Sequence, residues 1–321
     1  MRVRHEESQE LSYGFSNQSH QINEMGETRI MRNAFFLPGK DHSTGGATET
    51  PVVVIRARKR LFDLDLKALW EYRELLYFFA WRDIKVRYKQ TVLGIAWAVI
   101  QPLSMMVVFT LIFGKFARIP SDGFPFEIFS FTALLPWNLF ADALTRGTTS
   151  IVSNSSIVSK VYFPRLLLPI SAVVSGIVDF AISFVILIGM MAWFRIVPTW
   201  GILALPGFIL LALLTALAVS LWLGSLNVKY RDVAHIIPFM VQFWMFASPV
   251  VYPVDIVHEE WRWLYSLNPM AGVIEGFRWA LLGKASPDFG VIAISISVVF
   301  VLLYFGVVYF RNSERVFVDI L

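Results

Sequence analysis

Residues 69–114 read LWEYRELLYFFAWRDIKVRYKQTVLGIAWAVIQPLSMMVVFTLIFG, and the character of the chain changes twice within them. Leu69, Tyr72, Leu76, Phe79 and Trp81 recur at spacings of about three and four, while Glu71, Arg73 and Glu74 fall elsewhere, which predicts an amphipathic helix with an aromatic side. A basic knot follows (Arg82, Lys85, Arg87, Lys89), and then 25 residues, Gln90–Gly114, without a charge. A run of that length spans a hydrocarbon core ~30 Å thick. The three pieces therefore read as a helix lying in the headgroup plane, a cationic collar and a membrane span.

Working outward, the whole chain has the composition of an integral membrane protein. Of its 321 residues 56% are hydrophobic and 16% charged, and the mean hydropathy is +0.59, more apolar surface than a water-soluble domain can hide. There is no cysteine, so disulfides and thiolate metal sites are excluded, and five histidines show no paired ligand spacing. The sequence pI of about 9.3 does not point to nucleic acid, because the cations gather beside spans, where topology and anionic lipid account for them.

The fold expected is an all-α membrane protein of six spans: Val92 to Phe113, about Phe126 to Leu144 with an interruption at Pro136, about Leu166 to Phe194, about Ile202 to Leu226, Val233 to about Val251, and Phe289 to Phe310. Ahead of them, residues 1–65 are polar and aperiodic, a disordered tail whose end, PVVVIRARKRLFDLDL, reads as a linker or a short strand-like element. Residues 66–90 form the interfacial helix and 91–321 the transmembrane domain. No signal peptide is apparent. With both termini inside, the membrane-proximal inner segments carry Arg73, Arg82, Lys85, Arg87, Lys89, Arg146, Lys160, Arg165, Lys229, Arg231, Arg311 and Arg315, against Lys115, Arg118, Arg195, Arg262, Arg278 and Lys284 outside. That bias places the termini in the cytoplasm.

The orientation makes the inner segment between spans two and three informative. After the helix-cap candidates Asn154, Ser155 and Ser156, the residues Ile157, Val158, Val161 and Tyr162 recur at helical spacing until Pro164. A short helix with unpaired apolar residues in the cytosol is a docking surface or a simple turn back onto the bilayer.

Three stretches, WEYRELLYFFAWRDIKVRYKQTVLGIAWAVIQPL (70–103), SSIVSKVYFPRLLLP (155–169) and NVKYRDV (227–233), occur in the order found in a known family. From about Leu66 to its C-terminus the chain resembles the permease subunit of type-2 ABC exporters for cell-surface polysaccharides: O-antigen, capsule and teichoic acid. The tail before Leu66 departs from that family's usual short N-terminus. The resemblance implies a gate helix over Leu69–Phe79 and a coupling helix over Ile157–Phe163 (Ile157, Val158, Lys160, Val161, Tyr162, Phe163, with Arg165 after it) that fits an ATPase subunit. It also implies a second ATPase contact over Asn227–Val233 (Lys229, Arg231, Asp232) and periplasmic helices over Tyr252–Leu282. The assembly implied is a homodimer above two ATPase subunits, at the inner membrane.

An external motor is required by the residues themselves. The Gly-Lys pairs at Gly39, Gly114 and Gly283 are followed by Asp41, Phe116 and Ala285, so no phosphate loop offers a hydroxyl to magnesium. No cofactor is expected on this chain; ATP and Mg belong to the partner.

A lipid-linked glycan presents a pyrophosphate and sugar rings. Arg82, Lys85, Arg87 and Lys89 are candidates for the first, as charged donors to phosphate oxygens, or serve topology and anionic lipid alone. Candidates for the second are the aromatics Trp97, Phe109 and Phe113 on span one and Phe239, Phe243, Trp244 and Phe246 on span five. Asp179 is an acid deep in a span, where a carboxylate is costly; it is expected to pair with a cation on a neighbouring helix or to cap a polar seam. His235 and Asp142 read as solvated. Two other readings remain: a type-2 exporter of a drug, antibiotic or lipid, and a membrane enzyme, for which only His258, Glu259 and Glu260 offer an acid–base group, pointing in different directions on a helix.

Overall fold

The computed structural model describes residues 66–89, 94–256, 258–283 and 289–320, and among them every regular element is a helix. The tail and strand-like element expected before residue 66, the start of the first span at Val92 and the cation at Lys284 lie outside the described residues.

A turn at Tyr72 divides α1 (Leu66–Glu71) from α2 (Arg73–Lys89). The helix α3 (Gly94–Phe109) continues as π-helix over Thr110–Phe116, α4 is Phe126–Ser153 and α5 is the short Ser155–Val158. A break at Ser175–Gly176 separates α6 (Leu167–Val174) from α7 (Ile177–Trp193). A 3-10 turn over Trp200–Ala204 leads into α8 (Leu205–Lys229), followed by α9 (Val233–Phe246), α10 (Glu259–Ser266), α11 (Pro269–Leu282), α12 (Phe289–Glu314) and α13 (Phe317–Ile320).

Among the described residues, five helical runs have the length and apolarity to cross a membrane: Ala96–Phe116, Phe126–Ser153, Leu167–Trp193, Trp200–Lys229 and Phe289–Glu314. The second is not interrupted at Pro136: α4 passes through it and runs beyond the expected end near Leu144 to Ser153. Buried helices tolerate proline because neighbours absorb the freed backbone groups, and α4 is buried along most of its length against α8, α6, α7 and α11. Small residues set these approaches. A Cβ on Gly147 of α4 would lie 2.6 Å from Ser220 Oγ of α8, and one on Gly306 of α12 would lie 2.8 Å from the Ala218 carbonyl oxygen. Close backbone packing replaces the hydrophobic drive that lipid cannot supply.

The segment expected to be span five differs. The helix α9 has 14 residues, about 21 Å at 1.5 Å per residue, so the helix by itself is shorter than the hydrocarbon core; the chain turns at Ala247–Val250. The stretch that follows, 254–283, is by its sequence too charged to span and too aromatic for a loose loop, which reads as one or two short helices at the membrane surface. Its first helix, α10, does expose Trp261, Trp263 and Leu264, but α11 is a core helix with Met270, Val273, Ile274 and Phe277 fully buried among α4, α8 and α12. One buried arginine permits this. Arg278 donates from Nη2 to the Val250 carbonyl at 3.0 Å and from Nη1 to the Tyr252 carbonyl at 3.1 Å, and its guanidinium stacks 3.7 Å from the centre of the Phe129 ring. Its charge is spread over carbonyl dipoles and an aromatic face, and the same bonds staple the turn after α9 to α11.

At one end of the bundle a second apolar cluster gathers Phe79, Ile151, Val158, Phe163, Leu166, Leu167, Leu221, Val228, Phe310 and Phe317. It joins α2, the segment after α4, α6, the end of α8 and the C-terminal helices. Here the interfacial reading of residues 69–81 needs a correction. Leu69, Tyr72, Leu76 and Phe79 do share a face, but that face packs on this cluster. Trp81, expected beside them, is exposed with Trp70 and Tyr77, and stacks on Tyr77 at 6.5 Å. The apolar residues of this helix therefore fall on two sides, one packed on the cluster and one exposed.

Candidate functional site

The end of α2 carries Arg87 and Tyr88 to the start of α7, where the break at Gly176 leaves Asp179 in the first helical turn. Asp179 Oδ2 accepts from the guanidinium of Arg87 and from Nη1 of Arg146 on α4, the latter at 3.1 Å, while its Oδ1 accepts from the Tyr88 hydroxyl. Arg146 also pairs through Nη2 with Asp142 Oδ2 at 3.3 Å, one turn earlier on α4. Burial, and then the adjacent Asp179 carboxylate, push the Tyr88 phenol up to about 12, so it stays a donor. Two guanidinium and two carboxylate charges balance in one cluster that ties α2, α4 and α7 together.

Above the cluster lies a cavity of about 340 Å³ between α3, α4 and α7, lined by Trp97, Gln101, Asn138, Asp142, Phe180 and Ser183 among others. A second hollow of about 430 Å³ opens beside it between Arg82, Asp83, Thr149, Ser153, Asn154 and Ser175, and Arg87 and Arg146 border both. The four basic residues singled out at the collar do not converge on one point. Arg82 is bonded to Asp83 at 2.8 Å and lies over the Phe79 ring, Lys85 is exposed over the Trp81 ring, Arg87 turns inward to Asp179, and Lys89 is exposed at the end of α2.

The segment 155–165 divides in the same way. Only Ser155–Val158 is α-helical, and Asn154 does not cap it: its amide donates to the Ser150 carbonyl instead. Val158 and Phe163 are buried in the end cluster, and Ile157 packs partly against it, so Val158 and Phe163 are anchors and present nothing for docking. Arg165 is likewise held inward, bonded through its guanidinium to the backbone of Glu314. What projects is Lys160, Val161 and Tyr162, the last two 57% and 88% exposed. Lys229, Arg231 and Asp232 are also exposed. They follow Val228, which is buried in the same cluster, and Asn227, whose side chain accepts from the Ala234 N–H at 3.2 Å and so fixes the turn into α9.

The candidate path aromatics separate into two sets. Phe109 is buried against Phe113 at 5.6 Å, and Trp244 donates to Asn268 at 3.0 Å and packs on Phe140 at 4.9 Å; Phe109 lies in the core, and Phe113 and Trp244, partly buried, pack against it. Phe239, Phe243 and Phe246 form an exposed stripe on α9, and Trp97 is 58% exposed at the cavity. Among the described residues no group of three or more His, Asp or Glu side chains gathers to hold a metal. Sequence reasoning missed Tyr88, Gln101, Asn138 and the inward role of Arg146. The last had a signal, an arginine one helical turn after an aspartate inside an otherwise uncharged run.

Comparison with known proteins places this geometry. Residues 74–282 match the ABC-2 type transporter family. The chain is 30% identical over 256 residues to the O-antigen export system permease protein RfbA of Myxococcus xanthus, covering 79% of this chain and 98% of that protein. It is 26% identical to the RfbA permease of Klebsiella pneumoniae over 77% of this chain and 95% of that one. It is 21% identical to the polysialic acid transport protein KpsM of Escherichia coli over 73% and 91% respectively. The chain belongs to the ABC-2 type transporter family.

Proposed function

From that membership we propose that the chain is the permease subunit of an ATP-driven exporter that carries lipid-linked polysaccharide, O-antigen, capsule or a related glycan, across the bacterial inner membrane. The observation that carries the reading is the match over 98% of the length of a permease named for O-antigen export. A relationship of that extent covers the bundle, the projecting loop and the cavity together.

In this reading the end cluster is the cytoplasmic end of the bundle, both termini are inside, and Val161 and Tyr162 meet a separate ABC ATPase that holds ATP and Mg. Buried Val158 and Phe163 support it: they fix the loop rigidly to the bundle, so a push on Tyr162 is a push on α2 and α6. Two copies of the chain form the pathway, with two ATPase subunits beneath. The exposed stripe of Phe239, Phe243 and Phe246 then offers aromatic faces on which sugar rings slide without a tight site.

The test is export itself. Deleting the gene from its native host should leave lipid-linked glycan inside the cell and bare the surface, and restoring the chain should reverse both. Normal surface glycan in the deletion strain, with a lipid or a toxic small molecule accumulating in the cell, overturns the polysaccharide reading in favour of a different type-2 exporter.

A further inference from the structure

We infer that the cavity between α3, α4 and α7 is a binding site for a pyranose ring, the first sugar of the exported glycan. This rests on the function proposed above and adds a place of recognition to it. Trp97 and Gln101 stand four residues apart on α3, and Asn138 and Asp142 stand four apart on α4, so each helix turns two consecutive rungs toward the same space. Trp97 supplies a broad, half-open aromatic face, suited to the C–H side of a sugar ring. The amides of Gln101 and Asn138 have no hydrogen-bond partner among the described residues, and each offers both a donor and an acceptor. Asp142, about half exposed and 3.3 Å from Arg146, adds carboxyl oxygens as acceptors. An aromatic face together with two side-chain amides and a carboxyl group in one cavity is the complement of a polyol.

The charges argue against other occupants. A phosphate would have to displace Asp179 from Arg87 and Arg146, which already meet a carboxylate. A cation would face the same two guanidinium groups. An acyl chain would desolvate the carboxylates and both amides without replacing their water bonds. At about 340 Å³ the space falls at the small end of ligand pockets, room for a sugar unit and not for a folded oligosaccharide.

The experiment uses the full chain in lipid nanodiscs and a polyprenyl-diphosphate-linked trisaccharide with a diazirine on its first sugar. After illumination, peptides are sequenced for the label. Labelling should fall in residues 96–103 and 135–146, and Trp97→Ala and Asn138→Leu should each lower it about tenfold, the scale of a lost stacking face or hydrogen bond pair. Gln101→Leu serves as a second variant should either of these fail to insert. Excess free trisaccharide should compete, whereas polyprenyl diphosphate without sugar should not. Competition by the sugarless lipid alone, or labelling unchanged in all three variants, overturns the inference. A wild-type chain that restores surface glycan while the label lies elsewhere defeats the sugar site and leaves the export function standing; a deletion strain with normal surface glycan defeats the export function instead.

Discussion

The ring of Phe163 lies 5.6 Å from that of Phe79, tilted by 53°. This contact joins the projecting loop, two residues from its exposed Val161, to the helix that leads into the first span. Both rings are buried, so the two elements move together or the contact breaks.

Phe79→Ala should therefore loosen the loop and destabilise the fold. Truncating a buried phenylalanine costs about 3–5 kcal/mol, seen as a fall in the melting temperature of the purified protein. Phe79→Leu should restore most of the stability. If export in the Leu variant stays low while stability returns, the aromatic contact itself transmits motion.

Asp179→Asn should be harmful out of proportion to its size. It leaves Arg87 and Arg146 together with one carboxylate fewer, and breaking a partly buried pair by removing one partner costs about 3–5 kcal/mol. Combining it with Arg146→Gln should recover part of that loss, a coupling readable in a double-mutant cycle. Additive losses would mean that the 3.1 Å contact contributes little.

Arg278→Met should expose the turn after α9. The methionine fills space but leaves the Val250 and Tyr252 carbonyls without their donor, an unsatisfied pair costing on the order of 1–3 kcal/mol each. Arg278→Lys keeps the charge and loses the planar fork that reaches both carbonyls, so it should rescue only partly. Protease cutting between residues 247 and 258 is the measure.

Since the chain has no cysteine, single introduced cysteines report orientation without background. Tyr162→Cys should react with a membrane-impermeant maleimide only in inside-out vesicles, and Arg118→Cys only in right-side-out cells. The reverse pattern would invert the bundle.

The spans were legible because a crossing writes itself as an uninterrupted apolar run, as at Gln90–Gly114. What sequence could not supply was the partner of each face. Leu76 and Phe79 mark an apolar stripe, but only the fold shows that the stripe meets Phe163 and Leu167 and that Trp81 turns away. Asp179 stood out as costly, yet its partners lie 92 and 33 residues away, beyond any local period. The helix α11 misled because Glu275 and Arg278 look like surface residues; a buried arginine bonded to two carbonyls has no signature in a linear string.

The central claim is that Val161 and Tyr162, pinned from beneath by Val158 and Phe163, are where the ATPase pushes. The most direct measurement is affinity purification of the tagged chain from native membranes, with and without Val161→Asp and Tyr162→Asp together, followed by assay of the co-purified ATP hydrolysis. The account predicts that the double variant inserts normally and retains almost none of that hydrolysis. Co-purified ATPase at the wild-type level in the inserted double variant would contradict it.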